Sequence, residues 1–69
     1  MIELDAKGLF CPEPLMMAHE ALKNHPNERV AIEVDQGSAK DNITRLAMKK
    51  GLEVSVEALE DGVFRLTIG

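Results

Sequence analysis

Cys11 is the only cysteine in 69 residues, and it stands in the run Gly8-Leu9-Phe10-Cys11-Pro12-Glu13-Pro14, between an aromatic residue and two prolines. One sulfur forms no internal disulfide, and dithiol redox chemistry needs a resolving cysteine that these residues do not supply. A cysteine hydrolase needs a histidine base. His19 lies eight positions beyond Cys11, roughly 12 Å along a helix axis, and His25 lies further still, so neither reaches the sulfur. One cysteine and two histidines at these spacings do not make the tetrahedral set of a zinc site, and no metal is assigned. Persulfide exchange asks only for one accessible thiol.

The neighbours of the cysteine suit a helix entry. With Cys11 as N-cap, Pro12 takes the first helical position, where a missing N–H costs nothing, and Pro14 stays within the first turn. Phe10 and Leu15 then occupy the two positions of a hydrophobic staple. Gly8 supplies the preceding turn. A free thiol titrates near pH 8.5 and is only a few per cent ionised at neutrality. Roughly 1 kcal/mol from the helix dipole raises that fraction about threefold to fivefold. Lys7 adds to the effect and Glu13 opposes it, which predicts a moderately activated thiol suited to exchange. The competing reading is a small buried hydrophobe, the commoner fate of a lone cysteine. On the residues alone both readings stay open.

The elements that must position this segment follow from periodicity. Ile2 and Leu4 alternate with Glu3 as in a half-buried strand, and Asp5 to Phe10 form a loop. From Pro12 the period becomes helical, with Leu15, Ala18 and Leu22 on one stripe and Asn24-His25-Pro26-Asn27 as the stop. Val30, Ile32 and Val34 mark a second strand. Ser38 or Asp41 is expected to cap a second helix bearing Ala39, Ile43, Leu46 and Ala47, ended by Lys49-Lys50-Gly51. Leu52, Val54 and Val56, then Phe64, Leu66 and Ile68, form two strands joined by a hairpin at Asp61-Gly62. Each strand is apolar on one face, so both helices cover one side of a single sheet and leave Glu3, Glu33, Glu57 and Arg65 toward water. The expectation is a two-layer α/β sandwich forming one domain over residues 1–69.

Composition bounds the function. Hydrophobic residues at 45% and charged ones at 29% belong to a folded domain, although one this small buries only about 60% of its unfolded surface and has no core to spare for a deep substrate cavity. A net charge of -4 without a basic stripe, together with two Phe and no Tyr or Trp, argues against direct nucleic-acid binding. No leader-like N-terminus or membrane-length apolar run is visible, and a cytoplasmic setting is expected. Met16, Met17 and Met48 are read as core fillers, His19 and His25 as helix-surface residues, and Gly37-Ser38-Ala39-Lys40 as a plain helix start.

The stretch from Asp5 to Pro14 resembles the D-x-x-G-x-x-C-P-x-P signature of the TusA, or SirA-like, sulfur-carrier family. Ala21-Leu22, Val34-Asp35, Asp41-Asn42-Ile43 and Ala47-x-x-x-Gly51 extend the likeness over essentially the whole chain. The resemblance implies an α+β sandwich of order βαβαββ, with a four-stranded mixed sheet and two helices on one face. It implies that Cys11 accepts sulfane sulfur from a persulfide donor such as a cysteine desulfurase, and that the domain itself needs no cofactor. Gly8, Pro12, Glu13 and Pro14 would position the thiol, and Leu9, Phe10 and Met17 would meet the partner. A non-catalytic regulatory or binding module of the same fold is the alternative. Gly51-Leu52 replaces the Gly-His of many members, so no role for that histidine carries over. Asn42-Ile43-Thr44-Arg45 and Arg65-Leu66-Thr67-Ile68 are similar to the N-terminal domain of YedF-type selenium-metabolism proteins, which implies a DsrE-like acceptor and selenium as a second candidate cargo.

Overall fold

A computed structural model describes residues 1–10 and 12–69. The chain runs β1 (Ile2–Asp5), α1 (Glu13–Asn24), β2 (Val30–Val34), α2 (Gly37–Lys49), β3 (Val54–Ala58) and β4 (Phe64–Ile68). The four strands form one sheet in the order β1-β2-β4-β3. β1 lies parallel to β2, while β4 is antiparallel to both β2 and β3. β2 and β3 therefore point the same way, with β4 inserted between them, so each helix serves as the crossover of a parallel pair. The βαβαββ order and the mixed sheet agree with the sequence expectation.

The core is the layer between the sheet and the helices. Val30, Ile32 and Val34 of β2 and Leu66 and Ile68 of β4 meet Ala18, Ala21 and Leu22 of α1 and Ala39, Ile43 and Ala47 of α2. The alanines let α1 and α2 lie close over the two central strands, and the large volume comes from Ile32, Ile43, Leu66 and Ile68. Among the described residues no polar or charged residue is buried. Strand edges are less covered than the alternation predicts: Val56, expected on the core face, is 45% exposed on β3, the outer strand of the sheet. Ala31 departs the other way. It shares the outward face with Glu33 yet is buried, flanked in register by Glu3 and Thr67.

Two turns follow their sequence signals. Lys50 ends α2, Gly51 takes φ 73°, and the Leu52 and Gly51 N–H groups return to the Ala47 and Met48 carbonyls at 2.9 and 3.0 Å, the paired bonds of a Schellman ending. In the hairpin Asp61 and Gly62 both have positive φ, 58° and 73°, as a type I′ turn requires. The start of α2 differs from expectation. Gln36 is the N-cap, without a side-chain cap bond, while Ser38 and Asp41 lie inside the helix.

Candidate functional site

β1 and β2 are parallel neighbours with Asp5 opposite Glu33, so the loops leaving their carboxyl ends run side by side. The loop after β1 leads to Cys11; the loop after β2 carries Asp35. Ala6 extends the ladder by donating its N–H to the Glu33 carbonyl at 2.9 Å, and its side chain is fully buried. The Leu9 N–H then returns to the Ala6 carbonyl at 3.3 Å, closing a four-residue turn with Gly8 at its third position and φ 80°. A left-handed residue there favours glycine. The Gly8 N–H points across to the second loop and donates to Asp35 Oδ2 at 2.8 Å.

On the helical side the frame is set by the prolines. α1 begins at Glu13, with Pro12 as its cap residue, so Pro12 sits one position earlier than the first-helical-position expectation and Pro14 becomes the second helical residue. Pro14 is fully buried and anchors the first turn into the core in addition to stiffening it. The Glu13 N–H donates to the Phe10 carbonyl and the Met16 N–H to the Pro12 carbonyl, both at 2.9 Å. This arrangement thins the supply of donors at the helix start. Of the four leading positions, Pro12 and Pro14 have no N–H and that of Glu13 donates to the Phe10 carbonyl. With Pro12 in the cap position, the expectation of Cys11 as N-cap is not met; Cys11 itself, and with it the thiol's setting, lies outside the described residues.

The remaining candidate residues divide by exposure. Phe10 is 71% exposed, which removes the staple with Leu15: once the helix starts at Glu13 the two no longer hold staple positions. Leu9 and Met17 are partly buried against the core. Met16, read from the sequence as filler, is 61% exposed, and Met48 is exposed as well, because both fall off the buried stripes of their helices. His19 and His25 are on the surface, His25 with Nδ1 3.5 Å from Glu28.

Lys7 takes part in an ion-pair network. Its Nζ donates to Glu33 Oε1 at 3.0 Å and lies 3.7 Å from Asp5, on the outer face of the sheet. Arg65 binds the other oxygen of Glu33 at 3.0 Å and reaches Glu3 at 3.3 Å. The hydrogen bond from Lys7, then that from Arg65, holds the Glu33 carboxyl below the ordinary carboxylate range, while Glu33 and Asp5 raise Lys7 above the usual lysine value. The ammonium is thereby committed to carboxylates. An open groove of about 570 Å³ beside it, lined by Lys7, Glu33, Ala58, Leu59, Glu60 and Val63, has these two charges already paired.

Sequence reasoning missed Asp35 as part of the frame and Met16 as an exposed apolar group. The signal for Asp35 was present in its place immediately after β2, which the parallel β1-β2 pairing sets beside the Gly8 turn.

The family model for Sulfurtransferase TusA matches residues 2–69. The chain belongs to the TusA family. A protein of Archaeoglobus fulgidus is 39% identical over 70 residues, spanning 99% of this chain and 91% of the relative. The sulfur carrier protein TusA of Pseudomonas syringae pv. syringae is 39% identical over 64 residues, 90% of this chain and 75% of that protein. The crystal structure of a SirA-like protein from Desulfitobacterium hafniense superposes with a TM-score of 0.93 at 30% identity, covering 99% of this chain and 95% of the other. The TusA-type sandwich thus holds over the full set of elements. Among the described residues no helix is long and apolar enough to cross a membrane.

Proposed function

We propose that this protein is a sulfur carrier in which Cys11 is both acceptor and donor atom. The Cys11 thiolate attacks the outer sulfur of a donor persulfide, R-S-SH. The donor S–S bond breaks, R-S⁻ leaves, and Cys11-S-SH forms; the same exchange run against a recipient thiol or other nucleophile restores Cys11. One neutral sulfur atom moves and no external oxidant or reductant is consumed. The donor class is a persulfide-bearing enzyme such as a cysteine desulfurase, the recipient is a second protein, and the setting is the cytoplasm.

The observation that carries this reading is the placement of the chain's only cysteine within a segment pinned on both flanks, by the Gly8 turn before it and by buried Pro14 after it. The similarity to a TusA sulfur carrier adds support. Exposed Phe10 and Met16, before and after Cys11 in the chain, offer apolar contact to a visiting protein, with Leu9, Glu13 and Met17 next to them. Exchange at a protein interface suits a fold whose described interior is wholly apolar.

The test loads the protein from a cysteine desulfurase and cysteine and reads intact mass. A gain of one sulfur atom, abolished in Cys11→Ser and reversed by thiol reductant, is expected. Sulfur uptake that persists in Cys11→Ser overturns the assignment.

A further inference from the structure

The contact between Gly8 and Asp35 joins two segments 27 residues apart, and together with the Lys7–Glu33 bond it ties the loop that leads to Cys11 to β2 and the residue that follows it. Asp35 follows β2 directly, and β2 is a central strand buried at Val30, Ala31, Ile32 and Val34. Its backbone therefore continues from a strand hydrogen-bonded on both sides and buried in the core. The turn it grips is centred on Gly8, which carries a positive φ, has open space where a Cβ would stand, and is exposed. An isolated glycine turn samples many conformations, and a charged acceptor on its N–H selects one of them.

We infer that Asp35 is a positioning residue for sulfur transfer, acting through the Gly8 N–H on the segment that carries Cys11. This inference rests on the sulfur-carrier reading above and adds a residue to it. Exchange between two sulfurs demands an aligned approach, and loss of alignment by about 1 Å in a reacting group costs on the order of a hundredfold in rate. Loosening a turn three residues away is a smaller disturbance, for which roughly tenfold is expected.

The variants Asp35→Ala and Asp35→Asn separate positioning from fold maintenance. Asparagine keeps an oxygen that accepts the Gly8 N–H; alanine keeps none. Loading from a saturating persulfide donor should slow about tenfold in Asp35→Ala and stay within about threefold of wild type in Asp35→Asn. The Gly8 amide should lose hydrogen-exchange protection in the alanine variant and retain it in the asparagine variant. Loading of Asp35→Ala at the wild-type rate overturns the inference, as does an asparagine variant that retains Gly8 protection yet loads as slowly as alanine. Should the alanine variant fail to fold, the asparagine variant alone decides: wild-type-like loading with a protected Gly8 amide supports the bond, and tenfold slowing with protection intact refutes it. If wild-type protein takes up no sulfur, the carrier reading fails by itself. Positioning is then judged from the pH–rate profile of Cys11 alkylation, which Asp35→Ala must displace and Asp35→Asn must leave in place.

Discussion

Arg65 on β4 and Glu33 on β2 stand opposite one another in the antiparallel ladder, and their side chains meet at 3.0 Å on the water-facing side of the sheet. Glu33 also receives Lys7 from the loop before Cys11, so one carboxylate ties the middle of the sheet to the functional segment. Because Glu33 is held below its ordinary value of 4.5, its contribution to stability is fully present above that value and is lost as pH falls through its lower folded value. Lys7, raised above 10.5, contributes below that value and loses its contribution only as pH rises beyond it. Acidification from about pH 7 to about pH 3 should therefore lower the urea midpoint of wild type more than that of Glu33→Gln. Equal losses in the two proteins would show that the carboxylate is not responsible.

The glycine at the end of α2 supports a prediction about backbone alone. A Cβ at Gly51 meets nothing within 4 Å, so Gly51→Ala tests only the cost of φ 73° in a residue with a side chain. That cost is about 1–2 kcal/mol. Gly37, with ordinary φ and equally open surroundings at the first position of the same helix, should accept alanine with a gain of about 0.4–1 kcal/mol through the unfolded state. Thermal unfolding of the pair should move in opposite directions. A shared direction would mean that packing, and not backbone conformation, sets both.

Ile43 is the largest contribution of α2 to the core and is wholly inaccessible. Truncation to alanine at such a site costs about 2–5 kcal/mol, comparable to the roughly 3–5 kcal/mol that the core of so small a domain supplies. Ile43→Ala should be largely unfolded at 25 °C by circular dichroism, whereas Ile43→Val, at about 0.5–1.5 kcal/mol, should remain folded. A cooperative, near-wild-type melt for the alanine variant would contradict the core as described.

These cases show what the sequence made legible. Alternation in β2 and β4 and the helical stripes were plain because both strands are central and both helices have one buried face, so periodicity and burial coincide. Val56 broke the pattern because alternation records a strand's faces and not its place in the sheet. The start of α1 was displaced by one residue because Pro12 fits both a cap and a first position. Met16 and Met48 were misread since methionine suits core and surface alike. The Gly8 turn was legible from the glycine; its partner Asp35 was not, because a contact 27 residues away depends on strand pairing.

Phe10 and Met16 are exposed at 71% and 61%, so the fold loses little when either is made polar. Substitutions at such positions usually change stability by less than about 0.5 kcal/mol. If they form the patch that a persulfide donor meets, Phe10→Ser and Met16→Gln should each raise the donor concentration needed for half-maximal loading, by about tenfold for a contact worth about 1.4 kcal/mol. The rate at saturating donor should change less, since the Gly8 turn and the buried Pro14 that flank Cys11 are untouched. Val56→Ser, an exposed apolar change on edge strand β3, is the control, and its loading curve should overlay wild type. A common shift in all three variants would point to a general loss of apolar surface, whereas a shift confined to Phe10 and Met16 fixes the donor-facing side at the entry to α1.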